Sequence, residues 1–280
     1  MKNCIKKVTL VSCILLLLCS CMSVKNITYA DYEHSLDLIY LQIENFYIPT
    51  FNISIDNNNY HAIYHTGYNK NIISKDILDE LGIKDIDDKT DVTIPQIVLA
   101  NGIILYNIIF HIIEPNDDAV KIYFGLSAFN EYNVLVSYKQ NKIFLYNNGT
   151  LPGYLASWIP VTVVFPEEGL YIYSVVEGSS KPYLTWLSTG VTLYMGGIFN
   201  RHYNIGLDTS IPVATFFRNS IYIDGIRYRN LYFYNSLSNK DKTDNNLEGS
   251  LTDIILGYGF FKNYDIFIES NIKKIYLEKP

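Results

Sequence analysis

The sequence has few cysteines, and all of them lie at its start. None of the four comes after residue 21 of the 280-residue chain; they are Cys4, Cys13, Cys19 and Cys21. The rest of the chain therefore has no disulfide and no thiolate ligand for a metal. Its stability must come from a hydrophobic core, and a chain of this length with 49% hydrophobic residues can build one.

The sequence also has fewer basic residues than acidic ones. The chain has 22 Lys and Arg against 28 Asp and Glu, and residues 1–20 carry three of the Lys and no acidic residue. Without that segment the balance is 19 against 28, a net charge of −9. Proteins that bind nucleic acid usually present a basic surface, so we expect no nucleic-acid partner.

The N-terminal segment has the pattern of an export signal. Three lysines precede a short apolar run, residues 8–18, which falls short of the roughly 20 residues of a membrane-spanning helix. The run ends in LCSC (18–21), which resembles a bacterial lipobox. We expect a lipoprotein signal peptide over 1–20, lipidation of Cys21, and a protein anchored to a membrane of the bacterial envelope, outside the cytoplasm. The alternative is an ordinary signal peptide that contains cysteines.

The two halves of the chain share one order of motifs. His65-Thr66-Gly67 returns 123 residues later as Ser188-Thr189-Gly190. Asn101-Gly102 and Asp224-Gly225 lie in similar apolar stretches and are also 123 residues apart. Self-similarity at a fixed offset indicates a duplicated structural unit.

A second matching pair closes each half. FGLSAFNEYNVLVSYKQNKIFLY (124–146) matches LGYGFFKNYDIFIESNIKKIYLE (256–278) at an offset of 132 residues. The nine extra residues fall in the polar stretch 236–250, which is typical of a solvated loop. An insertion in the second half therefore accounts for the larger offset, and the order of motifs continues beyond it.

Short alternating strands and hairpin turns predict an all-β protein. DNNNY (56–60), ANG (100–102) and IDG (223–225) have the composition of tight turns, and one helix is expected over Ser74–Leu81, with a weaker one after Gly190. We expect a tether to about Asp37 and a first strand at Leu38–Ile43. The predicted division is a signal peptide (1–20), a lipid-anchored tether with the first strand (21–44), a first domain (45–147), a linker (148–160) and a second domain (161–280).

These motifs resemble those of the retropepsin-like aspartic proteases. Each lobe of that family has an apolar strand that ends in Asp-Thr-Gly or Asp-Ser-Gly, and a later apolar-apolar-Gly element that packs behind the catalytic loop. Here the elements are AIYHTG (62–67) and YLTWLSTG (183–190), with Gly125 and Gly257 closing the later ones. The resemblance covers about residues 45–278. It implies two homologous β-barrel domains in a bilobal, pepsin-like arrangement with few short helices and a cleft between them.

The sequence departs from this family at the residues that carry its reaction. The family uses two carboxylates that share a proton, one from each lobe. Here those positions are His65 and Ser188, while the loop residues that follow them are retained; these are Thr66, Gly67, Thr189 and Gly190. The resemblance therefore implies the fold and the cleft but argues against the peptidase reaction, and it implies no cofactor. The short acidic stretch after the expected helix also lacks the Gly-rich tip of a flap.

Several alternatives stay open at this stage. Asp208, in GLDTSIPV, could supply a displaced acid, or a partner chain could complete the site, although register places Asp208 opposite Asp85. His65 and Ser188 could form a nucleophilic pair, but no acid is visible to orient the histidine. His61 and His65 make only half of a metal site, so we expect no metal. We expect an inactive pseudo-protease with a structural role, or one that binds an extended peptide along the cleft.

Overall fold

The computed structural model describes residues 29, 31–43, 46–84, 89–115, 119–190, 197–200, 216–236 and 254–280. The expected signal peptide, Cys21, Asp208 and the polar stretch 237–250 lie outside the described residues. Tyr32–Pro280 forms one compact unit.

Strands dominate the described part of the chain. In chain order they are β1 (His34–Asp37), β2 (Ile39–Ile43), β3 (Phe46–Ile55), β4 (Asn58–Tyr64), β5 (Asn71–Ser74), β6 (Asp91–Leu99), β7 (Ile104–Ile113), β8 (Ile122–Phe124), β9 (Tyr132–Ser137), β10 (Lys142–Asn147), β11 (Ile159–Thr162), β12 (Tyr171–Val176), β13 (Pro182–Leu187), β14 (Gly197–Asn200), β15 (Phe216–Ile223), β16 (Ile226–Ser236), β17 (Ile254–Leu256), β18 (Ile266–Ile268) and β19 (Lys274–Leu277). The short helices are α1 (Lys75–Glu80), α2 (Tyr258–Phe261) and the 3₁₀ segments Leu126–Phe129 and Gly153–Ser157. The predicted all-β class is confirmed.

The strands form three sheets. The first half contributes a seven-stranded sheet in the order β2-β3-β4-β8-β5-β7-β6, with a further pairing of β3 with β6. The second half contributes a closed barrel in the order β12-β13-β17-β14-β16-β15. A six-stranded sheet, β1-β10-β9-β18-β19-β11, takes strands from both halves. Two barrel-forming halves that share one sheet give the expected bilobal architecture. The domain bounds inferred from the sequence stay a prediction.

The internal repeat is visible in the strand pairings. The parallel pairs β4–β8 and β5–β7 correspond to the parallel pairs β13–β17 and β14–β16. The antiparallel pairs β5–β8 and β3–β6 correspond to β14–β17 and β12–β15. In the shared sheet, β1–β10 corresponds to β11–β19. The two halves therefore follow the same path.

Turn chemistry explains the hairpins. The β3–β4 turn has Asp56 at φ 48° and Asn57 at φ 65°, and the β15–β16 turn has Asp224 at φ 47° and Gly225 at φ 76°. Two consecutive positive φ values match the twist of the flanking strands, and Asp, Asn and Gly tolerate them best. These turns were predicted from the sequence.

Some boundaries differ from the sequence-based expectation. The last residues of the expected tether, His34–Asp37, form β1, because Leu36 is 1% exposed and pairs with Ile143 in the shared sheet. The expected helix at Ser74–Leu81 is one residue shorter at each end, since Ser74 and Leu81 are its caps. The weaker helix expected after Gly190 is not tested, because residues 191–196 and 201–215 lie outside the described ones, and Gly197–Asn200 between them is the strand β14.

Candidate active site

The two Thr-Gly loops begin at equivalent places in the two halves. His65 follows β4, and its backbone N–H donates to the carbonyl of Phe124 at 2.8 Å. Ser188 follows β13, and its N–H donates to the carbonyl of Leu256 at 2.9 Å. The residue after each acceptor is a glycine, and at Gly125 an added Cβ would lie 2.2 Å from a backbone carbonyl oxygen of the loop. Only glycine allows this close approach.

The two loops hold each other through their threonines. The Thr66 N–H donates to Thr189 Oγ1 at 3.1 Å, and the Thr189 N–H donates to Thr66 Oγ1 at 3.0 Å. Each hydroxyl then donates across to the strand of the other half: Thr66 Oγ1 to the carbonyl of Leu187 at 2.9 Å, and Thr189 Oγ1 to that of Tyr64 at 2.6 Å. Exchanging the two halves leaves this pattern unchanged, so a pseudo-twofold axis relates the loops.

His65 and Ser188 meet beside this axis. His65 Nε2 lies 3.3 Å from Ser188 Oγ, so one of these atoms donates to the other according to the imidazole tautomer. His65 is 6% exposed and Ser188 is fully buried. The other ring nitrogen, Nδ1, is buried and has no hydrogen-bond partner among the described residues. The site therefore has an imidazole–hydroxyl pair but no described group that orients the imidazole from behind.

Aromatic rings surround His65. Its ring stacks on Tyr68 with centroids 4.4 Å apart and an interplanar angle of 26°. The ring centroids of Trp186 and Tyr123 lie 5.7 Å and 6.3 Å from that of His65. Burial in these surroundings lowers the pKa of His65 from 6.5 to about 4, because the charged imidazolium loses its hydration. The pair is consequently uncharged at neutral pH.

Trp186 covers the first loop from the second half. Its indole N–H donates to the carbonyl of Gly67 at 2.8 Å, and its ring is 5% exposed. A Cβ added at Gly67 would lie 2.3 Å from the indole ring. The ring of Tyr171 stacks behind Trp186 at 6.2 Å. The Leu170 N–H also donates to the carbonyl of Thr66, at 3.0 Å. The first loop is thus closed by residues of the other half.

Tyr138 binds the second Thr-Gly loop from the shared sheet. It follows β9 of the shared sheet, is 6% exposed, and donates its hydroxyl to the carbonyl of Thr189 at 2.7 Å. Burial raises the pKa of this phenol, so the hydroxyl keeps its proton as a donor. Sequence reasoning missed both Tyr138 and Trp186. The period of a strand places Trp186 on the same side as Ser188, and this is the one signal that could have found it.

The acidic stretch after α1, in which the sequence analysis finds no Gly-rich flap tip, is only partly described. Ten residues, 81–90, connect α1 to β6, and those among them that the structure describes are not in strands. Most of the acidic stretch, including Asp85, lies outside the described residues, while Asp91 begins β6 and contacts His111 at 3.2 Å. The expectation that this stretch lacks a flap tip therefore stays a prediction.

Other candidate residues are dispersed. His61 is exposed, while His65 is buried at the loop, and the part of the chain that the structure describes contains no cluster of three or more His, Cys, Asp or Glu side chains. No helix in the described ranges is long and apolar enough to cross a membrane. Asp208 lies outside those ranges, so the structure does not place it.

Comparison with solved structures identifies the architecture. The chain is similar to the crystal structure of an aspartic proteinase from Irpex lacteus, with a TM-score of 0.54 and 10% sequence identity over 88% of this chain and 97% of that one. The fold is that of a bilobal aspartic proteinase. No protein-family model and no curated protein sequence matches the chain. The likeness concerns the fold alone, and the narrower link to the retropepsins rests on the sequence motifs and stays a prediction.

Proposed function

We propose that this chain is a lipid-anchored envelope protein that has the aspartic-proteinase fold without the peptidase reaction. The observation that carries the proposal is the pair at the centre of the site. Where the reaction needs two carboxylates that share a proton, this chain has a neutral imidazole 3.3 Å from a hydroxyl. The surviving role is binding, or a structural role in the envelope.

The chemistry of the pair supports this proposal. An aspartic peptidase uses one carboxylate to take a proton from water and the other carboxyl group to donate one to the peptide carbonyl. Ser188 has no acid or base function at neutral pH, and His65 would protonate in the acidic range where such dyads work, which removes its lone pair. His65 also packs against the rings of Tyr68 and Trp186, and Ser188 is fully buried, so a water and a peptide would need space that side chains now fill.

A nucleophilic Ser188–His65 pair is the second candidate, and the 3.3 Å contact is the observation in its favour. Such a pair works when a third group holds the imidazole in the correct tautomer and donors stabilise the oxyanion. Nδ1 of His65 has no such partner among the described residues, and Ser188 is fully buried. We therefore rank this activity behind a binding role.

The proposed ligand is an extended peptide or protein segment along the interlobe cleft, and the membrane partner is engaged through Cys21. The Gly67 carbonyl already accepts the indole N–H of Trp186, so a peptide would have to pair with other backbone groups of the cleft. The expected anchor follows from the sequence motif at 18–21.

Peptidase activity is tested directly with the purified chain and a mixed peptide library, read by mass spectrometry from acidic to neutral pH. We expect no specific cleavage. Cleavage that survives His65→Ala and Ser188→Ala but disappears in Asp208→Asn would show that a displaced acid is at work. Cleavage lost in Ser188→Ala and retained in Asp208→Asn would instead show serine chemistry. The double variant His65→Asp/Ser188→Asp tests whether the scaffold still supports the family reaction.

A further inference from the structure

The first half has an outer face, on β3, β4, β6 and β7, that is not part of the interlobe site. Along β3, Phe51 and Ile53 point into the core while Asn52 and Ser54 point outward. The same alternation places polar residues of β4 and apolar residues of β6 and β7 on this side. We define the outer face by Asn52, Ser54, Asn59, His61, Val98, Ile104, Tyr106 and Ile109.

The strand register brings these side chains together. Asn59 pairs with Ser54, Ser54 with Val98, and Val98 with Ile104, so one row crosses four strands. His61 pairs with Asn52 in the next row. The polar members line a depression of about 460 Å³, a volume in the range of small-ligand sites. Tyr106 lies two residues beyond Ile104 on β7, about 7 Å further along the same face.

The polar side chains of this depression are available to a ligand. Asn52, Ser54, Asn59 and His61 make no side-chain hydrogen bond in the part of the chain that the structure describes. An amide offers two donors and an acceptor, and a hydroxyl offers one donor and acceptor lone pairs. This set can therefore satisfy a ligand that carries several hydroxyl groups.

The other half shows that the fold does not require this face to be apolar. At the offset of 123 residues, Ile104 corresponds to Arg227, Tyr106 to Arg229 and Ile109 to Tyr232. Arg227 forms an ion pair with Glu177, so the equivalent surface of the second half is charged.

In the first half the equivalent positions are exposed and apolar. Tyr106 is 63% exposed, Ile109 is 60% exposed and Ile104 is 39% exposed. Exposed apolar side chains that cluster beside polar ones are typical of binding surfaces.

We propose that the outer face binds a neutral oligosaccharide. Its strands are already paired on both sides, so an extended peptide cannot add as another strand. Its three exposed apolar side chains offer on the order of 300 Å², below the roughly 450 Å² of apolar surface that each partner of a standard protein interface contributes. The strand register places Tyr106 about 16 Å from Asn52 and Asn59, roughly the length of a trisaccharide. The C–H face of one sugar ring packs against the ring of Tyr106, and the hydroxyls of rings further along the oligosaccharide bond to the amides of Asn52 and Asn59. This inference is independent of the anchor and of the interlobe site.

The experiment uses the full-length Cys21→Ala chain, so that membrane anchoring does not interfere. Cellotriose and the N-acetylglucosamine trimer are titrated by calorimetry, with saturation-transfer NMR to identify the sugar protons in contact. The test variants are Tyr106→Ala and Asn59→Ala. The matched control is Tyr173→Ala, because Tyr173 is 55% exposed on β12 in the other half.

We expect at least one neutral trimer to bind, and Tyr106→Ala to weaken binding by about three- to tenfold, the loss that corresponds to one aromatic contact. Asn59→Ala should weaken binding as well, and Tyr173→Ala should not change it. The proposal is overturned if neither trimer binds at millimolar concentration, or if both test variants bind like the parent. Tyr106-dependent binding to phospholipid vesicles without sugar binding would identify a membrane contact instead.

Discussion

Protonation of His65 should destabilise the protein in a defined pH range. The pKa of this imidazole is about 4 in the folded chain and 6.5 in the unfolded one, because folding buries it among aromatic rings. The folded state therefore binds this proton more weakly than the unfolded state. The stability associated with neutral His65 is fully present above pH 6.5 and is lost as the pH falls from 6.5 towards about 4. Below about pH 4 the loss is complete.

The size of the effect follows from the same two values. Each pKa unit corresponds to about 1.4 kcal/mol, so a shift from 6.5 to about 4 amounts to about 3 kcal/mol in the free energy of unfolding. This is a large share of the 5–15 kcal/mol that typically stabilises a domain. Among the described residues no charged side chain offsets this cost, and the groups around the ring are Tyr68, Tyr123, Trp186 and Ser188.

The assay is urea unfolding of the wild-type chain and of His65→Gln at several pH values between about 7 and about 4. Glutamine is uncharged throughout, so other titrating groups contribute equally to both proteins and cancel in the difference. The stability difference between them should move by about 3 kcal/mol in favour of the variant as the pH falls. A difference that stays constant with pH would refute the buried, neutral state of His65, as would an NMR titration that finds the ring protonated near pH 6.5.

Three further predictions concern the anchor and the braces of the site. Cys21→Ala should abolish labelling with a radioactive fatty acid and release the protein from membranes, while substitution of each of the other three cysteines should leave both unchanged. Gly190→Ala should cost about 1–3 kcal/mol in the free energy of unfolding, because its new methyl group would lie 2.2 Å from the His65 ring. Gly153→Ala, with open space around it, is the control and should unfold like wild type. Thr66→Val should cost about 1–3 kcal/mol by leaving buried backbone groups without partners, measured by thermal or urea unfolding.

The part of the site that follows from the repeat could be predicted from the sequence. His65 and Ser188 occupy the same place in two similar segments, and a duplicated fold brings such segments together about a common axis. The hairpins could be predicted because Asp56-Asn57 and Asp224-Gly225 tolerate the positive φ that the turns require. These inferences need only local chemistry and the order of motifs.

The packing around the site could not be predicted in this way. Trp186 covers Gly67, and Tyr138 supports the second loop, through contacts between segments that are distant in the sequence. A strand pattern says that Trp186 and Ser188 share a face, but it does not say which partner that face meets. The strand β1 was missed for the same reason: Leu36 is a lone apolar residue whose burial depends on β10 of the shared sheet.

Folding alone explains why both Thr-Gly pairs are present, whether or not two carboxylates precede them. Each threonine hydroxyl both accepts from and donates to the opposite half, with all four bonds between 2.6 and 3.1 Å. Removing either threonine leaves buried backbone groups unsatisfied, so the junction needs both whether or not a reaction takes place beside it. His65 and Ser188 are not part of this reciprocal bonding, and within the two motifs His-Thr-Gly and Ser-Thr-Gly they are the position at which the halves differ. A chain that keeps the two threonines and has no carboxylate at positions 65 and 188 is therefore compatible with the binding or structural role that we propose.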